Sequence, residues 1–140
     1  MDWTLEVVVI PVTDVDRSKR FYTEQLGFNI DDDLMSGPVR VVQLTPPGSA
    51  CSIAIGPLVV DEVAESSARF QLVVNDIEAA RRELLDRGVE VSEVQQWGDE
   101  GPKPGYGGNY NAFVFFKDPD GNNWGLQEVT SRPIPAVQVA

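Results

Sequence analysis

The chain repeats itself, and that repeat constrains its fold more than any other feature. The run Val7-Val8-Val9-Ile10-Pro11-Val12-Thr13-Asp14-Val15 reads as a buried strand leading into a helix cap, and Arg69-Phe70-Gln71-Leu72-Val73-Val74-Asn75-Asp76-Ile77 reads the same way. Asp14 and Asp76 stand at the same place in each copy, where a carboxylate accepts the free N–H groups of a first helical turn. Helices are predicted over residues 16–26 and 77–87. The first carries Phe21, Tyr22 and Leu26 on one side, the second Ile77, Ala80 and Leu84 at helical spacing. Each is expected to stop at a glycine, Gly27 or Gly88, because a left-handed C-terminal cap suits a residue without Cβ.

Short strands are predicted just past each glycine, at residues 28–30 and 89–91. The first half continues with strands at 39–45 and 51–55, separated by the turn cluster Pro46-Pro47-Gly48-Ser49. The second half continues at 112–117 and 123–129, joined by Asp118-Pro119-Asp120-Gly121-Asn122, a strong hairpin signal. Each half is therefore β-α-β-β-β. One helix covers only one face of such a sheet, so two halves are expected to pair. The fold class expected is α+β: two βαβββ modules forming a cupped eight-stranded mixed sheet, with helices outside and an inner face free to hold a ligand. The modules fall at residues 4–56 and 67–130, with a polar linker at 57–66 and an extended tail at 131–140, all within one domain of 140 residues.

Composition removes whole classes of chemistry. The chain has no histidine, which excludes a histidine base, a Ser-His-Asp triad and any imidazole-bound metal. One cysteine, Cys51, excludes an intrachain disulfide and a cysteine-rich metal centre; a small buried hydrophobe is its expected role. The net charge of −11 disfavours nucleic acid and anionic membrane surfaces as partners, and by itself favours a cationic ligand. No basic-then-apolar leader opens the sequence, and no apolar run approaches bilayer-spanning length, so the cytoplasm is the expected compartment.

Residues 11–28, Pro-Val-Thr-Asp-Val-Asp-Arg-Ser-Lys-Arg-Phe-Tyr-Thr-Glu-Gln-Leu-Gly-Phe, resemble the opening of the vicinal oxygen chelate superfamily. Residues 116–128, Phe-Lys-Asp-Pro-Asp-Gly-Asn-Asn-Trp-Gly-Leu-Gln-Glu, resemble its close. That superfamily includes glyoxalase I, bleomycin-resistance proteins, extradiol dioxygenases and fosfomycin-resistance enzymes. The resemblance implies the fold strongly and the activity weakly. It also implies four inward-facing metal-ligand positions, which here hold Val7, Ala54, Arg69 and Gly125. Three of these carry no donor, and the fourth is a cation, so the expectation is no metal and no other cofactor. The resemblance further implies a homodimer, whose second subunit completes open cup edges.

Strand alternation from those positions predicts the lining of the cup. Val7 and Val9 lie on the first strand, Ser52 and Ala54 on the fourth, Arg69 and Gln71 on the fifth, and Gly125 and Gln127 on the last. Arg69 is suited to a carboxylate, phenolate or enolate oxygen. The segment 97–110 is long for a compact domain and is expected to act as a lid, with Trp97, Tyr106 and Tyr110 stacking on a flat ligand. Phe113, Phe115 and Trp124 are expected in the core, and Glu6 and Glu128 on the helix-facing side. The function expected is metal-independent binding of an aromatic or cationic small organic molecule. The alternative is a metal-independent lyase or isomerase in which Arg69 stabilises an enolate or oxyanion.

Overall fold

In the computed structural model, which describes residues 1–130, each half of the chain builds its helix on its aspartate cap. Asp14 accepts the Arg17 N–H at 3.1 Å and starts α1 (Val15–Arg20). Asp76 accepts the Ala79 N–H at 3.0 Å and starts α2 (Ile77–Asp86). The first helix runs on into a π-helical turn, Phe21–Gln25, closed by a Leu26 N–H to Phe21 carbonyl bond of 3.1 Å. Two adjacent aromatic rings, Phe21 and Tyr22, are buried there and meet edge-on with centroids 5.3 Å apart. Gly27 and Gly88 follow with φ of +75° and +80°, the left-handed geometry the sequence called for.

The strands form two mixed sheets. In the first, β1 (Val7–Val9), β2 (Asn29–Ser36), β3 (Val39–Thr45) and β4 (Ser52–Ile55) lie in the order β1-β4-β3-β2. In the second, β5 (Arg69–Val74), β6 (Gln95–Gly98), β7 (Gly101–Pro104), β8 (Phe113–Lys117) and β9 (Asn123–Glu128) lie in the order β5-β9-β8-β6-β7. The repeat persists in the register: the parallel pair Val9 and Ala54 in one sheet is echoed by Gln71 and Gly125 in the other. The α+β architecture of two βαβββ modules is therefore what the chain adopts.

Three details differ from the sequence reading. The described residues contain nine strands rather than eight, split between sheets of four and five, because β6 and β7 form a hairpin that overlaps the start of the segment expected to be a loop. Residues 89–91 contribute only a single bridge, Val91 to Phe116, in place of a strand. Conversely, β2 runs to Ser36, well past the predicted Ile30. It is an edge strand exposed along its whole length, so it has neither alternation nor burial to reveal it. The tail expected at 131–140 lies outside the described residues.

The two modules join through a knot of aromatic rings and carboxylates. Trp124, 2% exposed, is the hub: Tyr22 and Phe28 of the first module approach its ring at 5.6 and 5.8 Å, and Phe70 and Phe116 of the second at 5.0 and 6.2 Å. Buried Asp118 accepts the Tyr22 hydroxyl at 2.7 Å, the Asn122 side-chain amide at 2.8 Å, and the backbone N–H groups of Asp120 and Asn122. Asp120 reaches the first module, accepting the Thr13 backbone N–H at 3.1 Å and the Arg17 guanidinium at 2.8 Å. The turn motif thus holds the modules together as well as reversing the chain.

This junction fixes which way the sheets look. Trp124, Leu126 and Phe116 lie on one side of the second sheet, and Val42, Leu44, Ile53 and Ile55 on one side of the first; all belong to one buried cluster. Alternation sends the residues between them to the opposite sides, away from the shared core. Each sheet therefore turns an uncovered face outward.

Candidate functional site

The uncovered face of the second sheet gathers most of the polar residues the sequence singled out. Arg69 and Gln71 come from β5, Gly125 and Gln127 from β9, and Phe113, Phe115 and Lys117 from β8. Register places them side by side: Gln71 pairs with Gly125, Phe115 also pairs with Gly125, and Lys117 pairs with Asn123, itself paired with Arg69. The Arg69 guanidinium carbon stands 4.6 Å from the centroid of the Phe115 ring, which lies stacked against Phe113 with centroids 6.1 Å apart. Gly125 makes this approach feasible: a Cβ there would lie 3.1 Å from the Arg69 Cδ and 3.2 Å from the Phe115 ring. Arg69, Lys117, Phe115, Asn123 and Ser67 line a hollow of about 260 Å³.

Phe115 corrects the sequence reading. It was expected in the core with Phe113 and Trp124; those two are buried, but Phe115 is half-buried under the arginine on the open face. Lys117 was missed altogether. The signal for both was in the turn: a short reversal over residues 118–122 sets Lys117 opposite Asn123, and two steps back Phe115 opposite Gly125.

The two glutamines are already engaged. Gln71 donates to the Gln127 side-chain oxygen at 3.0 Å, and Gln127 donates to the Tyr110 carbonyl at 2.9 Å. Gln127 thereby ties the far end of the 97–110 segment to the sheet. Tyr110 itself takes φ of +67°, a left-handed conformation rare outside glycine.

The expected lid is a fastened hairpin. Asn111 accepts the Trp97 N–H at 2.8 Å and donates to the Trp97 carbonyl at 3.1 Å, pinning that peptide from both sides. The Trp97 ring remains half exposed, and alternation from Gln95, which pairs with Phe113, puts it on the open face. Tyr106 has a different role from the stacking one expected. Its hydroxyl donates to Glu128, whose other oxygen accepts the Ile77 N–H of the first turn of α2 at 3.0 Å. Glu128 is buried on the helix-facing side, as its parity implied. The carboxylate beside Tyr106 pushes its hydroxyl pKa up, so it remains a donor at neutral pH.

The first sheet's open face mixes exposed apolar side chains with polar ones. Val7 and Val9 are 39% and 46% exposed, Leu5 73% and Leu34 47%, with small Ser52 and Ala54 sunk between neighbouring strands and Gln43, Thr45 and Asp32 on the same side by register. The structure does not bring these residues and the Arg69 group into one hollow of a single chain. They lie on separate sheets whose joining contacts, through Tyr22, Phe28 and Trp124, lie on the other side.

The residues present do not fit the metal that the resemblance implies. Val7, Ala54 and Gly125 offer no donor, and the space over Gly125 is taken by Arg69 and Phe115. Among the described residues, no three His, Cys, Asp or Glu side chains converge to hold an ion. No helix there is long and apolar enough to cross a membrane.

Comparisons with known proteins bear on the fold. The family model of the glyoxalase/bleomycin resistance protein/dioxygenase superfamily matches residues 4–126. The uncharacterized protein YetH of Bacillus subtilis (strain 168) is 30% identical over 126 residues, covering 86% of this chain and 94% of its own. Among solved structures, TnmS3, an antibiotic binding protein from Streptomyces sp. CB03234, superposes with a TM-score of 0.68 at 25% identity, over 91% of this chain and 97% of its own. A member of the same superfamily from Sphaerobacter thermophilus DSM 20745 gives a TM-score of 0.68 at 26% identity, over 91% and 98%.

Proposed function

The chain belongs to the glyoxalase/bleomycin resistance protein/dioxygenase superfamily, and we propose that within it this protein is a metal-independent binder of a flat organic molecule. The observation that carries this reading is Arg69 poised over Phe115 above the side-chain-free Gly125, on a face without metal donors. The guanidinium, held over the Phe115 ring in the space that Gly125 leaves, offers a flat cationic surface whose N–H donors can fix a ligand's orientation. Similarity to an antibiotic-binding protein supports a small molecule as the partner.

A homodimer is part of the proposal. Leu5, Val7, Val9 and Leu34 are apolar side chains too wet to be left so, and a second subunit is the occupant that a two-faced chain supplies. The ligand would then lie between the first sheet of one subunit and the Arg69 sheet of its partner. Nucleic acid and membranes are not proposed as partners, given the net charge of −11, and the cytoplasm remains the proposed compartment.

The enzymatic alternative keeps Arg69 as stabiliser of an oxyanion. It is the weaker reading, because the two buried acids among the described residues are spent elsewhere: Asp118 on Tyr22 and Asn122, and Glu128 on Tyr106 and the α2 N-terminus. The test is a thermal-shift screen of flat aromatic compounds and divalent metals, with analytical ultracentrifugation and product analysis of every hit. Stabilisation by aromatics, none by metals, a dimer and unchanged ligand are expected. Stoichiometric metal retained after dialysis, or catalytic turnover, refutes the proposal.

A further inference from the structure

The charge of the bound molecule follows from how this chain partners its cations. Resting on the small-molecule reading above and narrowing it, we infer that the open face of the second sheet recognises aromatic anions: a planar ring bearing a carboxylate or phenolate, set against Arg69 and Lys117. The chain has 22 acidic residues to 11 basic ones, so its cations have acids in excess available. Arg17, Lys19 and Arg87 each take one and Arg40 takes two, with nitrogen–oxygen distances between 2.6 and 2.9 Å.

Arg69 and Lys117 take none. Among the described residues neither forms an ion pair or a hydrogen bond; Arg20, Arg81, Arg82 and Lys103 also lack an ion pair there, and what sets Arg69 and Lys117 apart is the hollow they share. Its walls are Ser67, Phe115, Phe116, Asn123 and Trp124, without a carboxylate among them. The Phe115 ring supports the Arg69 guanidinium from a face and leaves its N–H donors without acceptors. Two unpaired cations beside stacked Phe115 and Phe113 match a ligand with an anionic group on a flat ring.

This reverses the ligand charge that the composition favours. The net charge of −11 attracts cations at long range, but at physiological salt such a field is screened over about 8 Å. At contact distance the ligand meets two positive groups and no negative one. A cationic ring there meets repulsion from both.

The test titrates the full-length protein by isothermal calorimetry with three probes of one shape: a naphthoate, the matching naphthamide and the matching naphthylmethylammonium. The naphthoate is expected to bind about tenfold or more tightly than the amide, a gap of about 1.4 kcal/mol, and the ammonium most weakly. Arg69→Gln is expected to erase the preference, with the variant's fold checked separately by circular dichroism and its thermal unfolding midpoint. Lys117→Gln is expected to narrow it, and added salt to weaken the naphthoate alone. Equal binding of amide and naphthoate, or a preference that survives Arg69→Gln, overturns anion recognition and leaves the small-molecule reading standing. Failure of all three probes to bind removes that reading, and this inference with it.

Discussion

Removing one oxygen atom, by Tyr22→Phe, tests how the two modules are held. The Tyr22 hydroxyl is buried, donates to Asp118 at 2.7 Å and accepts the Trp124 indole N–H at 3.1 Å. Burial first, and then the charge of Asp118, push its pKa well above the ordinary tyrosine value, so it remains a donor throughout the neutral range. Without it, Asp118 keeps the Asn122 amide and two backbone donors, but the indole N–H loses its only hydrogen-bond partner among the described residues. A hydrogen bond to a charged acceptor is worth about 1.5–3 kcal/mol, and an orphaned buried donor costs about 1–3 kcal/mol. Some of this overlaps, so a loss of about 3 kcal/mol is expected. At this chain length that lowers Tm by roughly 10 °C. Urea unfolding should show a lower midpoint at unchanged slope, because the surface exposed on unfolding is the same. A double-mutant cycle with Asp118→Asn should give a coupling above about 1 kcal/mol. A Tyr22→Phe loss below about 1 kcal/mol, or additive effects in the cycle, would show that the Tyr22 hydroxyl does not help join the modules.

Gly125→Ala places a methyl 3.1 Å from the Arg69 Cδ; it should lift the guanidinium off Phe115 and weaken ligand binding about tenfold, with stability changed by no more than about 1 kcal/mol. Calorimetry with the best thermal-shift hit checks this, and unchanged affinity refutes the placement. Tyr106→Phe should speed amide exchange across residues 95–104 by loosening the hairpin from Glu128. The same contact carries an alkaline signature: the Tyr106 pKa is raised above its ordinary 10.0, so the stabilisation is whole below that value and disappears as pH rises through the raised one, read by tyrosinate absorbance against hairpin exchange. Asp33 carries the acid counterpart. Hydrogen bonds from Arg40 and then Lys19 hold its carboxyl well below the ordinary 3.8, so what it contributes is present above that value and fades as pH falls below it. Asp33→Asn should flatten the acid limb of a Tm–pH curve slightly, since the pair is solvent-facing; an unchanged limb counts against it.

What the sequence disclosed was whatever is decided locally. The caps at Asp14 and Asp76 and the stops at Gly27 and Gly88 depend on a few neighbouring atoms, and all four stand where the repeat put them. The hairpin at 118–122 is equally local, although its long-range part, Asp118 holding Tyr22 and Asp120 holding Thr13, left no mark in spacing. β2 escaped because Asp31, Asp32 and Asp33 are poor strand formers on an edge exposed on both sides; cross-strand bonds to β3 decide its length. The Glu128–Tyr106 bond escaped for another reason. Parity put Glu128 on the helix-facing side but could not say that a tyrosine from the hairpin would reach round to it. Phe115 was misplaced because its hydrophobicity was weighed above its register.

The two sheets descend from one pattern yet offer opposite chemistry, and that asymmetry bears on how copies associate. At matching places the first sheet has Val7, Val9 and Ala54 where the second has Arg69, Gln71 and Gly125. Apolar burial is strong but without direction, whereas a guanidinium fork sets orientation. Because the Trp124 knot joins the sheets through their core-facing sides, one chain does not turn its two open faces toward each other. A two-fold axis can do this, placing the first sheet of each subunit against the second sheet of its partner and making two equivalent chambers. The like-with-like arrangement would set Arg69 and Lys117 against their own copies, a repulsion that nothing on that face relieves. In the proposed dimer, pairing unlike faces would set the exposed valines and leucines of one subunit against Arg69 and Lys117 of the other.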